Sequence, residues 1–228
     1  MAEILVGFLG YGRMAQAISA GLDRAGAVPY AAQAATALDP GRLKALAKER
    51  GFTALADNPS LLERAPVVVV AVKPHQVKAA LAELSPAKLA GRLIVSIAAG
   101  VTLANLAAWL PGPANLVRAL PNLPALVGQG VALICAPPGA DPAHLAKAKA
   151  IFDSVGSTVE LSEAYFDQGT AVSGSGPAYF FQVMEALVRG AVRLGLTWET
   201  AKELVLKTAL GSVEMALARP DLALSELR

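Results

Sequence analysis

The sequence predicts an α/β fold: a doubly wound parallel-sheet domain over residues 1–161, followed by an all-helical domain over residues 162–228. Three observations carry that expectation. Short apolar runs of strand length alternate with helical stretches up to about residue 160. APVVVVAV (65–72) is apolar without alternation, as a strand buried on both faces of a parallel sheet must be. Beyond residue 162 the strand signals stop and only helical stretches remain.

Each element follows in order. Strands are expected at Ile4–Leu9, Val28–Ala32, Val67–Val72, Leu93–Ile97, Asn115–Arg118 and Val131–Cys135, with a weaker one at Thr158–Leu161. Met14–Ala25 reads as a helix closed by Gly26, and Arg42–Arg50 as one closed by Gly51. Asp39-Pro40 offers the second of these an N-cap and a first-turn proline. Helices at roughly 163–171, 177–194 and 198–218 complete the chain, separated by SGSG and by Gly195.

Composition narrows the functional classes. The hydrophobic fraction of 54% gives core material in plenty, while aromatics at 5% leave Ala, Val and Leu to build most of it. A net charge of +2, with no run of five Lys or Arg, does not argue for nucleic acid. The sole cysteine, Cys135, excludes an internal disulfide and a multi-Cys metal site, and His75 and His144 are too few for a His cluster. No apolar run approaches the roughly 20 residues a membrane helix needs, and Glu3 with the glycine-rich turn after it is unlike a signal peptide. The expectation is a soluble, cytoplasmic protein with a small-molecule partner, and neither a metal nor a membrane.

The first site is Gly10-Tyr11-Gly12-Arg13-Met14-Ala15, which fits G-x-G-x-x-A/G. It directly follows a predicted strand and opens a predicted helix, the context in which that pattern binds a dinucleotide. Gly10 permits the tight turn and Gly12 lets the backbone approach a pyrophosphate. Ala15 keeps the helix close to the strand, and the helix N-terminus faces the phosphates. A Rossmann-type domain is the consequence. The acid that would bind a ribose 2′-hydroxyl should lie near the end of the second strand, but YAAQAAT (30–36) has none. Asp39 is better explained as a helix cap. The missing acid favours NADP, with Thr36 or Arg42 receiving the 2′-phosphate, although NADH use stays open.

A second group lies where later strands leave the sheet. AVKPHQV (71–77) places Lys73-Pro74 after one strand, and SIAAGVTL (96–103) places Ala98, Ala99 and Gly100 after the next, leaving room for a flat ring. A carbonyl reductase needs a placed proton donor. Neither histidine fits that role, and no Ser/Tyr/Lys cluster stands out. A substrate that arrives protonated, such as an iminium, relaxes the need.

Together these motifs make the chain resemble the pyrroline-5-carboxylate reductase family, which reduces a cyclic imine to L-proline. The matching stretches are GFLGYGRMAQAI, AVKPHQV, SIAAGVTL, VRALPNLPALVGQG and, most specific, TAVSGSGPAYFFQVMEAL followed by GAVRLGL. The resemblance implies that Leu9, Gly10, Tyr11, Gly12, Arg13 and Met14 cradle the dinucleotide phosphates, with Asn58 near the adenosine. It implies that Val72, Lys73, Pro74, Ala98 and Ala99 line the nicotinamide half. Thr170, Ser173, Ser175 and Gly176 then lie near the imine of a neighbouring active site, with Thr170 and Ser175 as catalytic candidates and Ser173 and Gly176 as substrate contacts. Three departures stand out. Arg13 takes a place where relatives often carry Asn or another uncharged polar residue, and Thr36 ends an unusually Ala-rich strand. The chain also stops at LALSELR, where the family continues into a Ser-Pro-Gly-Gly-Thr-Thr-like loop that contributes to substrate-carboxylate binding and a final helix. That reads as a clipped end, and it keeps a non-catalytic dinucleotide sensor as the alternative. A β-hydroxyacid reductase of the same fold would need a catalytic lysine in the helical domain, where Lys202 and Lys207 lack a supporting motif.

In the 177–194 helix, Pro177 suits the first turn and Ser175 or Gly176 can cap it. Charges fall at Glu185, Arg189 and Arg193, one stripe in which Glu185 and Arg189 can pair. The remaining faces, with Phe180, Phe181, Met184 and Leu187, are too broad for one neighbour. A homodimer or higher homo-oligomer built on a helical dimerisation domain is the expectation.

Overall fold

A computed structural model describes residues 5–228. Its eight strands are β1 (Val6–Leu9), β2 (Gln33–Thr36), β3 (Thr53–Ala54), β4 (Val67–Val70), β5 (Leu93–Ser96), β6 (Asn115–Pro121), β7 (Gly130–Cys135) and β8 (Gly156–Glu160). They form one sheet in the order β3-β2-β1-β4-β5-β6-β7-β8. Pairing is parallel throughout except for β6 against β7, where Arg118 faces Cys135 and Ala119 faces Ile134. Strand order reverses at β1, which pairs Leu9 with Thr36 of β2 on one side and with Val70 of β4 on the other. A crevice opens at such a point, beyond the carboxyl ends of the strands.

Helices α1 (Arg13–Arg24), α2 (Pro40–Arg50), α3 (Asn58–Arg64), α4 (Val77–Ala82), α5 (Pro86–Leu89), α6 (Leu103–Trp109) and α7 (Pro142–Asp153) alternate with the strands. Their apolar faces close two cores, one on each side of the sheet. Phe8, Ile18, Val69, Val95 and Phe152 belong to one, and Leu61, Val68, Leu81, Ile94 and Phe166 to the other. Val68, Val69 and Val70 are all fully buried, which explains the missing alternation in their sequence. Each large apolar side chain so removed from water contributes about 1.5–3 kcal/mol.

The expected caps form. Asp39 accepts a hydrogen bond from the Arg42 N–H at 2.9 Å, and Gly51 closes α2 at φ +90°. One strand differs from the expectation. Residues 28–32 are not β2: Pro29 leads into a 3-10 turn over Tyr30–Ala32, and the Tyr30 N–H donates to Asp23 Oδ1. The strand begins only at Gln33, whose polar side chain disguises it as a loop residue. Gln33 is nonetheless buried, because its Nε2 donates to the carbonyls of Val28 and Ser19 and its Oε1 accepts from Ser19 Oγ. Ile4, expected to start β1, lies outside the described residues, and the short β3 carries no apolar run to announce it.

The first compact unit runs to Gly174 and the second is Ser175–Arg228. Residues 162–174 pack with the sheet, through a 3-10 turn at Glu163–Tyr165, helix α8 (Phe166–Gly169) and a π turn at Thr170–Gly174. Phe166 is fully buried beneath the sheet, and Asn122 Nδ2 donates to the Ser173 carbonyl at 2.9 Å. The second unit holds α9 (Gly176–Arg193), α10 (Trp198–Ala218) and α11 (Leu224–Leu227). Helices α9 and α10 pack against each other beyond a turn at Gly195, whose φ is +99°. Glu185 and Arg189 pair at 2.6 Å as their spacing predicts. Tyr179, Phe180, Phe181, Leu187, Leu204 and Leu210 remain exposed within this unit. Among the described residues no helix is long and apolar enough to cross a membrane.

Candidate functional site

At the reversal point lies a cavity of about 850 Å³. Its floor is the Leu9–Gly12 turn that carries β1 into α1. Gly10 has φ +90°, and a Cβ there would sit 2.7 Å from Val72 Cγ1, so the turn requires glycine twice over. A Cβ on Gly12 would meet nothing, because that position opens onto the cavity and leaves its backbone approachable. No side chain caps the N-terminus of α1, and no acid occupies its first turn. A helix end in that state favours an anion, and Arg13 on the cavity wall adds a full positive charge.

Tyr11, between the two glycines, anchors the turn from behind. Its ring is buried edge-on to Phe8 and tilted against Phe52. Its hydroxyl lies 2.7 Å from Ser19 Oγ, and because Ser19 spends its own proton on Gln33 Oε1, Tyr11 is the donor. Burial raises the Tyr11 pKa, an effect only partly offset by the Ser19 hydrogen bond.

The wall at the end of β2 holds three linked side chains. Thr36 Oγ1 donates to Asn58 Oδ1 at 2.7 Å, and Asn58 Nδ2 donates to Glu83 Oε2 at 2.7 Å. Thr36 is therefore at the cavity but has spent its hydroxyl proton on Asn58. Arg42, Lys73, His75, Gln16 and Gln76 add to the polar lining. Asp39 and Asp57 also face the cavity, each held by a backbone N–H at the start of α2 or α3. The hydrogen bond from Ser60 keeps the Asp57 carboxyl below its usual range.

Of the sequence-derived cofactor residues, Leu9, Gly10, Tyr11, Gly12, Arg13, Thr36, Asn58, Val72 and Lys73 converge on this cavity. Met14 does not: from the first turn of α1 it packs against the core. Pro74 starts an exposed 3-10 turn, while Ala98 and Ala99 follow β5 at the same edge of the sheet without lining the cavity. Thr170 and Ser173 lie in the π turn, where Thr170 Oγ1 donates to the Phe166 carbonyl at 2.6 Å and Ser173 Oγ to that of Gly169 at 3.0 Å. Both hydroxyls thus keep only acceptor capacity. Ser175 and Gly176 begin the second unit, and the Ser175 side chain does not cap α9.

Sequence reasoning missed Glu83, an apparently ordinary helix-end acid, and the apparatus that holds the 163–174 segment. Arg118, nearly buried on β6, pairs with Glu163 Oε1 at 3.0 Å and lies 4.5 Å over the Phe166 ring. Glu163 also accepts from the Leu103 N–H at 2.7 Å. An arginine inside the apolar run NLVRALP was the available signal, since a charge there must find a partner. Neighbouring Cys135 has its thiol pKa pushed up to about 12, first by burial and then by Glu163.

Residues 5–100 match the family model described as NADP oxidoreductase, coenzyme F420-dependent, and residues 163–228 match pyrroline-5-carboxylate reductase dimerisation. The second match begins ahead of the compact helical unit and includes the π turn. A pyrroline-5-carboxylate reductase from Pseudomonas aeruginosa is 43% identical over 96% of this chain and 80% of that protein. The solved structure of a pyrroline-5-carboxylate reductase from Coxiella burnetii superposes with a TM-score of 0.90 at 36% identity, over 100% of this chain and 84% of that one. That of the Plasmodium falciparum enzyme with NADP bound gives 0.87 at 29% identity, over 100% and 83%. With a glycine turn under an uncapped helix at the sheet's reversal point, and likeness of this extent along almost its whole length, the chain belongs to the pyrroline-5-carboxylate reductase family.

Proposed function

We propose that this protein reduces 1-pyrroline-5-carboxylate to L-proline with NADPH, and accepts NADH less well, as a homodimer or larger assembly. The observation that carries the reading is the cavity over Gly10 and Gly12, in a chain 43% identical to a named pyrroline-5-carboxylate reductase across 96% of its length. The lining fits a dinucleotide: an open backbone at Gly12, a free helix end at α1, and Arg13, Arg42 and Lys73 as cations. Bound NADPH supplies the hydride for the imine carbon.

The chain's own residues do the rest. Leu9 to Arg13 hold the pyrophosphate, Arg42 receives the 2′-phosphate, and Val72, Lys73, Pro74, Ala98 and Ala99 flank the nicotinamide. Thr170, Ser173, Ser175 and Gly176 contact the substrate. Because Thr170 and Ser173 give their protons to backbone carbonyls, their oxygens are left as acceptors for the N–H of a protonated imine. No separate proton donor is then required, since the nitrogen arrives carrying its proton. The unpartnered apolar faces of α9 and α10, within residues matching a dimerisation family model, support self-association. Cys135, a buried and unpaired thiol, suits a reducing cytoplasm.

The test is direct. Purified protein is supplied with 1-pyrroline-5-carboxylate, and NADPH oxidation is followed by its absorbance alongside L-proline formation. Stoichiometric conversion, abolished by Gly12→Val, supports the proposal. Dinucleotide binding with no proline formed under any condition would leave the sensor reading in its place.

A further inference from the structure

The dinucleotide-binding fingerprint places an acid at the end of the second strand where the ribose 2′-hydroxyl of NAD is bound, and YAAQAAT supplies none. The structure brings a carboxylate to that place by another route. Glu83 follows the last residue of α4 and lines the cavity, where its Oε2 accepts from Asn58 Nδ2. Asn58 in turn holds the hydroxyl of Thr36, the last residue of β2. Glu83 is thus linked through two hydrogen bonds to the position where a ribose 2′ substituent is read.

The polarity of this chain of bonds is fixed. Rotating the Asn58 amide would set Oδ1 against the Glu83 carboxylate, so Glu83 dictates that Nδ2 faces it and that Oδ1 receives the Thr36 proton. What remains outward is mostly acceptor: the lone pairs of Thr36 Oγ1 and the second oxygen of Glu83, with a single Asn58 N–H left to donate. Acceptors suit a ribose hydroxyl, which donates, and oppose a phosphate, which needs donors and positive charge. The other two cavity acids are differently employed. Asp39 and Asp57 are bound to backbone N–H groups at helix starts, where the helix end offsets their charge.

We propose that Glu83 is a specificity-determining residue for the cofactor, acting through Asn58 and Thr36 as a counterweight to Arg42. It favours the 2′-hydroxyl of NADH and tempers the preference for the 2′-phosphate of NADPH. This rests on the dinucleotide reading of the cavity. On this reading a site with Arg13, Arg42 and Lys73 in its lining would still take NADH.

The experiment uses the full chain and reads binding instead of turnover. NADPH and NADH are titrated separately by their fluorescence, and 2′,5′-ADP and 5′-AMP by calorimetry, on wild type, Glu83→Gln and Arg42→Ala. Glu83→Gln keeps an acceptor for Asn58 Nδ2 and removes only the charge. Glu83 is exposed, so its melting temperature should match wild type. Charge removal across a few ångströms of partly hydrated cavity should raise the NADPH-to-NADH affinity ratio about five- to tenfold. The 2′,5′-ADP-to-AMP ratio should rise in parallel, and Arg42→Ala should lower both. If wild type binds both dinucleotides and Glu83→Gln leaves the ratios within twofold, the role of Glu83 is overturned and the cavity assignment stands. If wild type binds none of the four ligands, both are overturned.

Discussion

Replacing Glu163 by Ala tests what holds the 163–174 segment to the sheet. The change strips Arg118 of its carboxylate and the Leu103 N–H of its acceptor, bonds of 3.0 and 2.7 Å. The Arg118 side chain is only 5% exposed, against 30% for Glu163, so the two partners are not equivalent. Orphaning the deeper charge is the costly direction. Breaking a buried pair from one side costs about 3–5 kcal/mol, and water entering the vacated Glu163 position places this case near 3 kcal/mol. Arg118→Met should cost less, about 1–2 kcal/mol, because Met keeps an apolar stem against Phe166 while Glu163 retains Leu103 and solvent. The decisive variant carries both changes. With no charge left to orphan, it should be about 1 kcal/mol more stable than Glu163→Ala alone. Urea unfolding of all four proteins, at one protein concentration because self-association shifts apparent stability, measures this. A double variant less stable than Glu163→Ala would refute the reasoning. The guanidinium would then contribute through packing and not as an orphaned charge.

Other outcomes follow from the same structure. Gly12→Val projects a branched side chain into space that is open in the cavity, so dinucleotide affinity should fall at least a hundredfold, by titration, while the melting temperature stays within a few degrees. Phe181→Asp places a carboxylate on the exposed apolar face of α9, and sedimentation should show it shifted toward monomer by several kcal/mol of association energy, with NADPH binding retained. Cys135 should resist a disulfide-exchange reagent in the native state at pH 8 and react on unfolding, since its buried thiol stays protonated up to about pH 12. Tyr11 gives an alkaline signature. Its raised pKa means that the folded state holds the proton more tightly, so its contribution is complete below pH 10 and is lost as pH climbs through the folded value. Tyr11→Phe should reduce the slope of stability against pH above 10.

Much of this was legible in the residues. Gly10, Gly12 and the strand–helix context determine a conformation locally, because a φ of +90° and an open Cβ position are properties of glycine itself. Val67–Val70 announced burial through composition alone. Gln33 did not, because its burial depends on Ser19 and Val28, partners that folding brings to it. Glu83 stayed hidden for the same reason: nothing in its neighbourhood of sequence relates it to Asn58, 25 residues earlier. The boundary after Gly174 reflects Phe166 and Asn122, tertiary contacts that no helical periodicity encodes. Local stereochemistry can be read along the chain, whereas electrostatic pairing across the sheet needs the topology.

The cavity lining is drawn entirely from residues between Leu9 and Glu83. The cavity proposed for the dinucleotide is therefore complete in sequence while the ribosome has yet to make α9 or α10. N-terminal segments are made first, at about 5–20 residues per second, so the lining residues leave the ribosome several seconds before α9 and α10 are synthesised. Cofactor in the surrounding fluid stabilises whatever nascent fold it binds by RT ln(1 + [L]/Kd), independently of any second chain. On the proposed function, the residues that bind cofactor are thus made before the exposed faces of Phe180, Phe181 and Leu187.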